Sequence, residues 1–541
     1  MSERKYKVWP MWVPKSFEVD KPTSEYIREW ATIRPKGVAI SFYGRDIIYD
    51  ELNRLIDKAA WGLVDLGVEK GDRVAIHMDN CPQFVIAYFG VQRAGGVVVP
   101  VNPMFKPAEL EHELNDAGAK ALIGLDSLYE DVEKIRFKTG LKTVVLTSLM
   151  DYAPEKAVFP LPFERKRKSF ADTVLFDDFL SKSEDGQICR VDDLKKDLAL
   201  LQYTGGTTGI PKGAMISHHM LSYVSVGTAY WYHHREDDVH LAVTPLFHVM
   251  GQQVSMCTPL VSGGRAVLLT RFIPEAVAQA IEHYGCTVWV AATTMIIALL
   301  SIPNIGDYNM KSLRCLNTGG SSVSLELQRK MSELLPTTLV GEGYGMSETL
   351  PQGGATTPFY RYKPGFVGIA QLNEAKIVDL ETGTKEMPPN EQGELIVKGP
   401  AVMKGYWNKP EETRDTIVDS WLHTGDIALM DEDGYIKLLG RKREMIKCSG
   451  FSVFPAEVED LLYRHPAVKE VAVIGVDDSY RGSSPKAFII LKPDYVNKVT
   501  TDDILDWCKD NMATYKRPRF IEFMEDLPRS SAGKVLKRLL A

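Results

Sequence analysis

A short stretch of the sequence, Tyr203–Gly213, concentrates residue types that suit the binding of phosphate groups. Its glycines allow backbone N–H groups to turn inward, its threonines add hydroxyl donors, and its lysine adds a positive charge. The apolar run Leu198–Leu201 before it predicts a strand, so the stretch is expected to be a loop at a strand end. The predicted phosphate ligands are Thr204, Gly205, Gly206, Thr207, Thr208 and Lys212.

Two alternatives for this stretch are a flexible hairpin loop and the phosphate loop of a P-loop ATPase. The P-loop pattern G-x-x-x-x-G-K-[ST] has a different spacing, and Pro211 would disturb the start of a helix before Lys212. The sequence therefore favours phosphate binding by a loop of another kind.

Four further polar segments follow along the chain: GEGYGMSE at 341–348, HTGD at 423–426, GRKREMIKCSG at 440–450 and PRSSAGK at 528–534. Together with Tyr203–Gly213, they stand in the order of the signature motifs of the adenylate-forming superfamily, which the sequence resembles over essentially its whole length. This superfamily contains acyl-CoA synthetases, adenylation domains of peptide synthetases and firefly-type luciferases. Within it, the sequence most resembles a medium- or long-chain fatty acid:CoA ligase.

The resemblance implies a reaction in two halves, with ATP, Mg²⁺ and coenzyme A as the small molecules bound. A carboxylate first attacks the α-phosphate of ATP, which gives an acyl adenylate and pyrophosphate. The thiol of coenzyme A then attacks the acyl carbon, and AMP leaves. Because the first half brings an anion to a polyanion, its catalysis depends on positioning and on neutralising charge.

The resemblance also assigns nucleotide-binding roles to individual residues. Tyr344 is expected to stack on adenine, Asp426 to accept hydrogen bonds from both ribose hydroxyls, and Arg441 to bind the ribose or a phosphate. Glu348 is expected to hold Mg²⁺, which prefers hard oxygen ligands. The other expected nucleotide contacts are Gly319, Gly320, Ser321, Glu342, Gly345 and Thr349.

Two lysines are implied to serve different halves of the reaction. Lys534 is expected to stabilise charge on the α-phosphate and the attacking carboxylate, and Lys447 is assigned to thioester formation. In the family, a small C-terminal domain rotates between the halves and presents a different face in each. The expected contacts to coenzyme A are Ser449, Gly450 and Phe451, and the position of the hinge residue, Asp or Lys in relatives, is taken by Arg443.

The segment Thr244–Gly251 corresponds to the start of the acid pocket in the family. Members that activate amino acids carry Asp after its phenylalanine, and this sequence has His248 there, which argues against an α-amino acid. His248 is therefore a candidate to gate the pocket or to contact the acid carboxylate, and Val249 and Met250 to line it. Apolar neighbours such as Val254 and Met256 suit an alkyl or an aryl chain, with a medium- or long-chain fatty acid as the first expectation.

The elements that must position these residues alternate between short apolar runs and helical patterns. Such runs, for example Val74–Ile76 and Val97–Val99, predict parallel strands covered on both faces. The helical pattern over 52–66 has Asp50 as its expected N-cap, and Thr501 is the expected cap of a later helix. The charged segment 151–193 is expected to be a surface excursion.

The chain changes character near Gly440, where loops rich in glycine give way to a compact helix and strand pattern. The sequence predicts an α/β fold with a large multi-layer N-terminal domain containing parallel sheets, and a small mobile α+β C-terminal domain. The expected boundaries are 1–439 for the ATP- and acid-binding domain, 440–443 for the hinge, and 444–541 for the domain that carries Lys534.

Composition excludes several other classes. The formal net charge is −7 and no extended basic tract is present, which argues against nucleic-acid binding. The seven cysteines are scattered without a Cys-x-x-Cys pair, the N-terminus has no apolar signal core, and 286–302 reads as a strand followed by a helix. These features predict a cytoplasmic protein without a transmembrane segment. The basic run 164–168 suits either a solvated loop or a weak contact with a membrane surface.

The sequence leaves alternatives within the resemblance open. An aryl acid:CoA ligase differs only in the pocket, and an acyl-AMP ligase would load a separate carrier protein, since no carrier-like segment is recognised here. A luciferase-like oxygenase shares the same motifs. A nucleotide sensor without catalysis would be expected to lack Lys534 or Glu348, and both are present.

Overall fold

The computed structural model describes residues 8–181, 186–204, 211–319, 325–336, 338–358, 361–448, 451–478, 481–530 and 535–540. Its strands in chain order are β1 (Val38–Phe42), β2 (Arg45–Ile48), β3 (Arg73–His77), β4 (Val97–Pro100), β5 (Ala119–Leu125), β6 (Thr143–Thr147), β7 (Val174–Leu175), β8 (Leu198–Tyr203), β9 (Gly213–Ser217), β10 (Val239–Ala242), β11 (Arg265–Leu268), β12 (Val288–Ala292), β13 (Cys315–Gly319), β14 (Leu339–Met346), β15 (Leu350–Thr356), β16 (Gly368–Ile369), β17 (Glu374–Val378), β18 (Gln392–Lys398), β19 (Ile417–Val418), β20 (Trp421–Met430), β21 (Tyr435–Arg441), β22 (Ile446–Cys448), β23 (Phe451–Val453), β24 (Val468–Asp478), β25 (Gly482–Leu491) and β26 (Phe520–Phe523).

The α-helices in chain order are α1 (Thr23–Ile33), α2 (Tyr49–Asp65), α3 (Pro82–Arg93), α4 (Pro107–Ala117), α5 (Tyr129–Glu133), α6 (Phe176–Ser181), α7 (His218–Trp231), α8 (Thr258–Val261), α9 (Pro274–Tyr284), α10 (Thr293–Leu300), α11 (Leu325–Leu334), α12 (Pro410–Thr416), α13 (Pro455–Leu462) and α14 (Thr501–Asn511). A π-helix, Gly251–Cys257, runs directly into α8. The predicted alternation of strands and helices is confirmed, including the strand and helix expected within 286–302.

The first sheet contains seven strands in the order β7-β6-β5-β3-β4-β8-β9. All neighbouring pairs are parallel except β8 and β9, which are antiparallel. Every residue of β4 is buried, as expected for a strand covered by helices on both faces. The predicted phosphate loop joins the two antiparallel strands β8 and β9 at this edge of the sheet.

The second sheet contains fourteen strands, and their pairing changes from parallel to antiparallel along the sheet. One half, from β1 through β11, β10, β12 and β13 to β14, is parallel. The other half, from β14 through β15, β16, β21, β20 and β18 to β17, is antiparallel. The reversal occurs at the turn between β14 and β15, and this turn carries Glu348.

The third sheet lies in the C-terminal part of the chain and contains β22 to β26, with α13 and α14 as the neighbouring helices. Its apolar side chains form a separate cluster that includes Val473 and Ile489 of the strands and Ile504 of α14. A separate small core is what an α+β domain of this length needs in order to fold as a unit.

Three local expectations need correction. Helix α2 begins at Tyr49 with Ile48 as its N-cap, so Asp50 lies inside the first turn, where its charge still suits the helix dipole. The cap of α14 is Thr500, whose hydroxyl accepts a hydrogen bond from the Asp503 N–H at 3.2 Å. The segment 151–193 is more than a surface excursion, because it supplies β7 and α6, with Phe176 buried.

The basic run 164–168 lies along the protein surface and makes several contacts with the chain. Arg165 donates to the Pro154 carbonyl at 2.5 Å, Arg167 pairs with Asp151, and Lys168 pairs with Glu130 at 2.8 Å. Among the described residues, no helix is both long enough and apolar enough to cross a membrane.

Candidate active site

The two ends of the phosphate loop are held together by the β8–β9 pairing. Tyr203 pairs with Gly213, and the Thr204 N–H donates to the Lys212 carbonyl at 3.0 Å. Gly205, Gly206, Thr207 and Thr208 lie outside the described residues. The ammonium group of Lys212 lies 5.0 Å from the centre of the Tyr406 ring, within the range of a cation–π contact.

Glu348 lies in the turn between β14 and β15 and is buried, with 7% of its surface exposed. Its Oε1 accepts a hydrogen bond from the Tyr406 hydroxyl at 2.6 Å. A carboxylate has two oxygens and several acceptor directions, so this bond leaves capacity for a cation. An oxygen donor fixed in this way fits the ligand preference of Mg²⁺.

Thr349 and Leu350 continue the same turn. The Thr349 hydroxyl donates to the Leu350 carbonyl at 3.0 Å, and its side chain is almost fully buried. Leu350 has a φ of 58°, which is uncommon for a residue other than glycine and concentrates strain beside Glu348.

Asp426 and Arg441 face each other across the β20–β21 pair. The Arg441 Nε lies 2.7 Å from the Asp426 Oδ1, and the Tyr344 hydroxyl donates to the Asp426 Oδ2. Burial and the adjacent Asp426 carboxylate hold the pKa of Tyr344 well above its ordinary value. The three residues that were expected around adenine and ribose therefore lie together.

Glu342, another expected nucleotide contact, is buried on β14. It accepts hydrogen bonds from the Gln328 amide at 2.5 Å and from the Tyr362 hydroxyl at 3.1 Å. Burial raises its pKa to about 7. On the same strand, Gly345 lies in the β14–β15 hairpin that leads to Glu348.

The predicted acid-pocket residues begin the helical segment that becomes the π-helix. Phe247 and Val249 are buried, and the sulfur of Met250 lies 3.8 Å from where a Cβ on Gly319 would stand. The His248 ring packs at 6.0 Å, centre to centre, against Phe247. This brings the predicted acid and nucleotide segments together, since Gly319 ends β13.

A chain of amides connects this segment to the strand of the phosphate loop. Gln252 donates to the Gln202 side chain at 2.9 Å, and Gln202 donates to the Phe247 carbonyl at 3.3 Å. All of these groups are buried, so their hydrogen bonds fix the distance between the two segments. Neither glutamine lies in one of the predicted motifs.

The predicted hinge forms one wall of a cleft of about 320 Å³, lined by Thr424, Gly425, Arg441, Lys442 and Arg443. The buried Glu394 carboxylate accepts from the Gly425 N–H at 3.2 Å and pairs with Lys442 at 2.9 Å. Phe454 packs with Ile427 and Leu439 in a small apolar cluster. The segment before Arg443 is therefore anchored to the large sheet.

The predicted coenzyme A and catalytic residues of the C-terminal part are described only in part. Lys447 is exposed on β22, and Phe451 begins β23, where the structure describes only its backbone. Gly320, Ser321, Ser449, Gly450 and Lys534 lie outside the described residues. Tyr406 and Glu394 were not predicted from the sequence. The glycine of the run Gly405-Tyr406-Trp407 was one available signal, because a glycine can mark a close approach of the backbone to other groups.

Two family models match the chain. The model described as AMP-binding enzyme matches residues 27–407, and the model described as AMP-binding enzyme C-terminal domain matches residues 457–534. The chain belongs to the AMP-binding enzyme family.

Known proteins resemble the chain over nearly its whole length. A long-chain-fatty-acid–CoA ligase of Bacillus subtilis is 37% identical, covering 98% of this chain and 96% of the relative. The structure of ATP-bound MatB from Rhodopseudomonas palustris has a TM-score of 0.86 and 29% identity, covering 96% of this chain and 98% of that one. The anthranilate CoA ligase AuaEII in complex with anthranoyl-AMP also has a TM-score of 0.86, with 27% identity and 97% coverage of both chains.

Proposed function

We propose that this protein is an ATP-dependent fatty acid:CoA ligase that works through an acyl adenylate and acts on medium- or long-chain acids. The observation that carries the proposal is a set of contacts between distant parts of the sequence: Tyr406 contacts both Lys212 and Glu348, and Tyr344, on the strand that leads to Glu348, contacts the Asp426–Arg441 pair. Membership of the AMP-binding enzyme family and the similarity to a long-chain-fatty-acid–CoA ligase support it.

In the first half of the proposed reaction, a carboxylate oxygen of the acid forms a bond to the α-phosphorus of ATP. The bond to the bridging oxygen breaks, and pyrophosphate leaves. Lys212 would hold the phosphates beyond the α-position, and Asp426 the ribose hydroxyls. Lys534 would stabilise the charge that develops at the α-phosphate. Mg²⁺ held by Glu348 would neutralise phosphate charge.

In the second half, the thiol of coenzyme A loses its proton to solvent and its sulfur forms a bond to the acyl carbon, while the bond between the acyl carbon and the phosphate oxygen breaks and AMP leaves. Lys447, Ser449, Gly450 and Phe451 are the proposed residues for this step. The C-terminal part would turn about Arg443 between the halves, with the anchored Lys442 on the stationary side.

The acid pocket is proposed to begin at His248, Val249 and Met250. Buried apolar neighbours on the π-helix, Val254 and Met256, support an apolar acid. The second candidate is an aryl acid, which the similarity to an anthranilate CoA ligase favours. The unpaired thiols of all seven cysteines support a reducing compartment such as the cytoplasm.

The test is an exchange assay between labelled pyrophosphate and ATP across saturated acids from short to long, with benzoate and cinnamate as aryl acids. Exchange is expected to require an added acid and to be greatest with a medium- or long-chain acid. Addition of coenzyme A is expected to release AMP and form a thioester. Formation of ADP in place of AMP would exclude the proposal, and a preference for benzoate would favour the aryl alternative.

Two matched variants test whether pyrophosphate exchange depends on Glu348. Glu348→Gln is expected to lower exchange about 100-fold, because the charged ligand is lost. Glu391→Gln, in an exposed turn, is the control and is expected to retain full exchange. Equal activity of the two variants would contradict the assignment of Glu348.

A further inference from the structure

The segment Met403–Trp407 lies beside β9, the edge strand of the seven-stranded sheet, and forms backbone hydrogen bonds with it. The Met215 N–H donates to the Gly405 carbonyl, and the Lys404 N–H donates back to the Met215 carbonyl, both at 2.9 Å. The Trp407 N–H donates to the Gly213 carbonyl at 2.8 Å. The segment is thereby fixed to the strand that leaves the phosphate loop.

The same segment is also bound to the turn of the other large sheet. The Met403 N–H donates to the Glu348 carbonyl at 2.8 Å. Met403–Trp407 therefore connects the phosphate loop of the seven-stranded sheet with the Glu348 turn of the fourteen-stranded sheet.

Tyr406 is the side chain at the centre of this connection. Its hydroxyl donates to the Glu348 Oε1 at 2.6 Å, and its ring faces the Lys212 ammonium, 5.0 Å from the ring centre. Only 8% of its surface is exposed. One rigid aromatic side chain thus contacts the predicted metal ligand through its hydroxyl and the predicted phosphate ligand through its ring.

These two contacts have different physical effects. A hydrogen bond to one carboxylate oxygen fixes the rotation of the carboxylate and so aims the other oxygen, as partners of metal ligands commonly do. An aromatic face attracts an ammonium group without neutralising its charge, so Lys212 keeps its full attraction for phosphate. A tyrosine provides both, whereas phenylalanine provides only the second.

We propose that Tyr406 is a positioning residue that orients the Glu348 carboxylate for Mg²⁺ and the Lys212 ammonium for the phosphates of ATP. The inference rests on the proposed function, which it deepens by separating metal binding from phosphate binding at the same site. Tyr406 itself makes no bond to the reacting atoms.

The test compares two substitutions by calorimetric titration of ATP into the full-length protein, in Mg²⁺ and in EDTA. Tyr406→Phe is expected to weaken ATP binding about tenfold in Mg²⁺ and to leave ATP binding in EDTA unchanged, because only the hydrogen bond that orients the Glu348 carboxylate is lost. Tyr406→Leu is expected to weaken ATP binding in both conditions, because the ring beneath Lys212 is lost as well.

The Mg²⁺ concentration that gives half-maximal pyrophosphate exchange supplies a second readout. It is expected to rise about tenfold for Tyr406→Phe. Tyr49→Phe is the matched control, since Tyr49 is a buried tyrosine whose hydroxyl donates to the Gly264 carbonyl at 2.7 Å, away from the site. That control is expected to keep the wild-type Mg²⁺ dependence.

Two results would overturn the inference. One is an unchanged Mg²⁺ dependence in Tyr406→Phe together with lower thermal stability, which would make the hydroxyl purely structural. The other is equal weakening of ATP binding with and without Mg²⁺. Failure of the proposed function is separate, because a wild-type protein that binds ATP but shows no acid-dependent exchange would leave the calorimetric comparison interpretable.

Discussion

Buried carboxylates are costly to stability unless they are paired, because a charge removed from water needs an opposite charge or a hydrogen-bond donor. Near the cleft, Asp426 has Arg441, Glu394 has Lys442, and Glu348 has the Tyr406 hydroxyl. Glu113 on α4 differs, since its buried Oε1 has no hydrogen-bond partner among the residues that the structure describes. Burial raises the pKa of Glu113 to about 8, and the nearby Asp116 and Glu109 add to the effect.

A consequence of the Glu113 pKa is a defined pH dependence of stability. The folded protein binds the proton of Glu113 more tightly than the unfolded chain does. The resulting contribution of Glu113 to the free energy of unfolding is therefore complete below about pH 4.5 and is lost as the pH rises through about 8. The free energy of unfolding of Glu113→Gln is therefore expected to rise relative to that of the wild type across this range, by up to about 5 kcal/mol. Melting temperatures from pH 5 to pH 9 measure the difference.

The control for this substitution is Glu111→Gln on the same helix, where the side chain is 34% exposed and pairs with Lys138. The difference in melting temperature between the wild type and Glu111→Gln is expected to stay nearly constant with pH. If Glu113→Gln behaved in the same way, Glu113 would be ionised in the folded protein at neutral pH.

Lys534 supports a second prediction for a single residue. Lys534→Ala is expected to lower acid-dependent pyrophosphate exchange about 100-fold or more, because charge at the α-phosphate loses its counter-ion. Conversion of supplied acyl adenylate and coenzyme A to thioester is expected to be retained. Lys509→Ala, an exposed lysine of α14 paired with Asp506, serves as the control. Equal loss in both half-reactions would contradict the division of roles between Lys534 and Lys447.

At the scale of elements, the site is assembled from turns and strand ends that belong to different sheets. The β8–β9 hairpin carries the predicted phosphate loop, the β14–β15 turn carries Glu348, and the β20–β21 pair carries Asp426 and Arg441. Met403–Trp407 connects the first two. Rigid sheets with functional turns at their edges are a common way to hold catalytic groups in register.

Gly405 allows this connecting segment to pass close to α12. Its φ is +138°, and a Cβ there would lie 2.6 Å from the Thr413 methyl group. Gly405→Ala is expected to destabilise the protein by about 1–3 kcal/mol, measured by urea unfolding. The control is Gly306→Ala, because a Cβ on Gly306 would meet nothing within 4 Å. Similar unfolding midpoints would mean that the segment tolerates a side chain at Gly405.

At the scale of the whole molecule, the third sheet and its own core follow the two large sheets and are reached through the residues around Arg443. Glu394 fixes Lys442 on one side of Arg443, and Phe454 packs against Leu439 on the other. Among the described residues, the C-terminal core is separate, and the proposed rotation about Arg443 would have to break the cluster around Phe454 and the packing of α13 against β21.

Arg443→Pro tests the hinge. Proline restricts φ and would oppose rotation, so one half-reaction is expected to fall at least about tenfold more than the other. Arg443→Ala removes the same side chain but leaves the backbone free, and is expected to affect both halves little. Pyrophosphate exchange measures the first half, and single-turnover thioester formation from supplied acyl adenylate the second. Equal loss of both halves in Arg443→Pro would contradict a pivot at this residue.

The fold class and most elements could be predicted from the sequence because their signals are local. Continuous apolar runs such as Val97–Val99 are β strands, and the helical pattern over 52–66 is α2. The predicted N-caps, Asp50 and Thr501, were wrong by two residues and one residue. The first residue of a helix depends on the backbone conformation of the preceding strand or turn, which a local pattern does not specify.

The residue types of the candidate site could be predicted from the sequence, since phosphate, ribose and cation each require particular chemical groups, which stand here in ordered motifs. The contacts among these groups became visible only in the folded protein. Tyr406 lies far along the chain from both Lys212 and Glu348, and Glu394 from Lys442, so no local pattern links them. Such pairs form because the packing of the two large sheets on a shared core brings distant turns together, and most buried polar groups there find a hydrogen-bond partner.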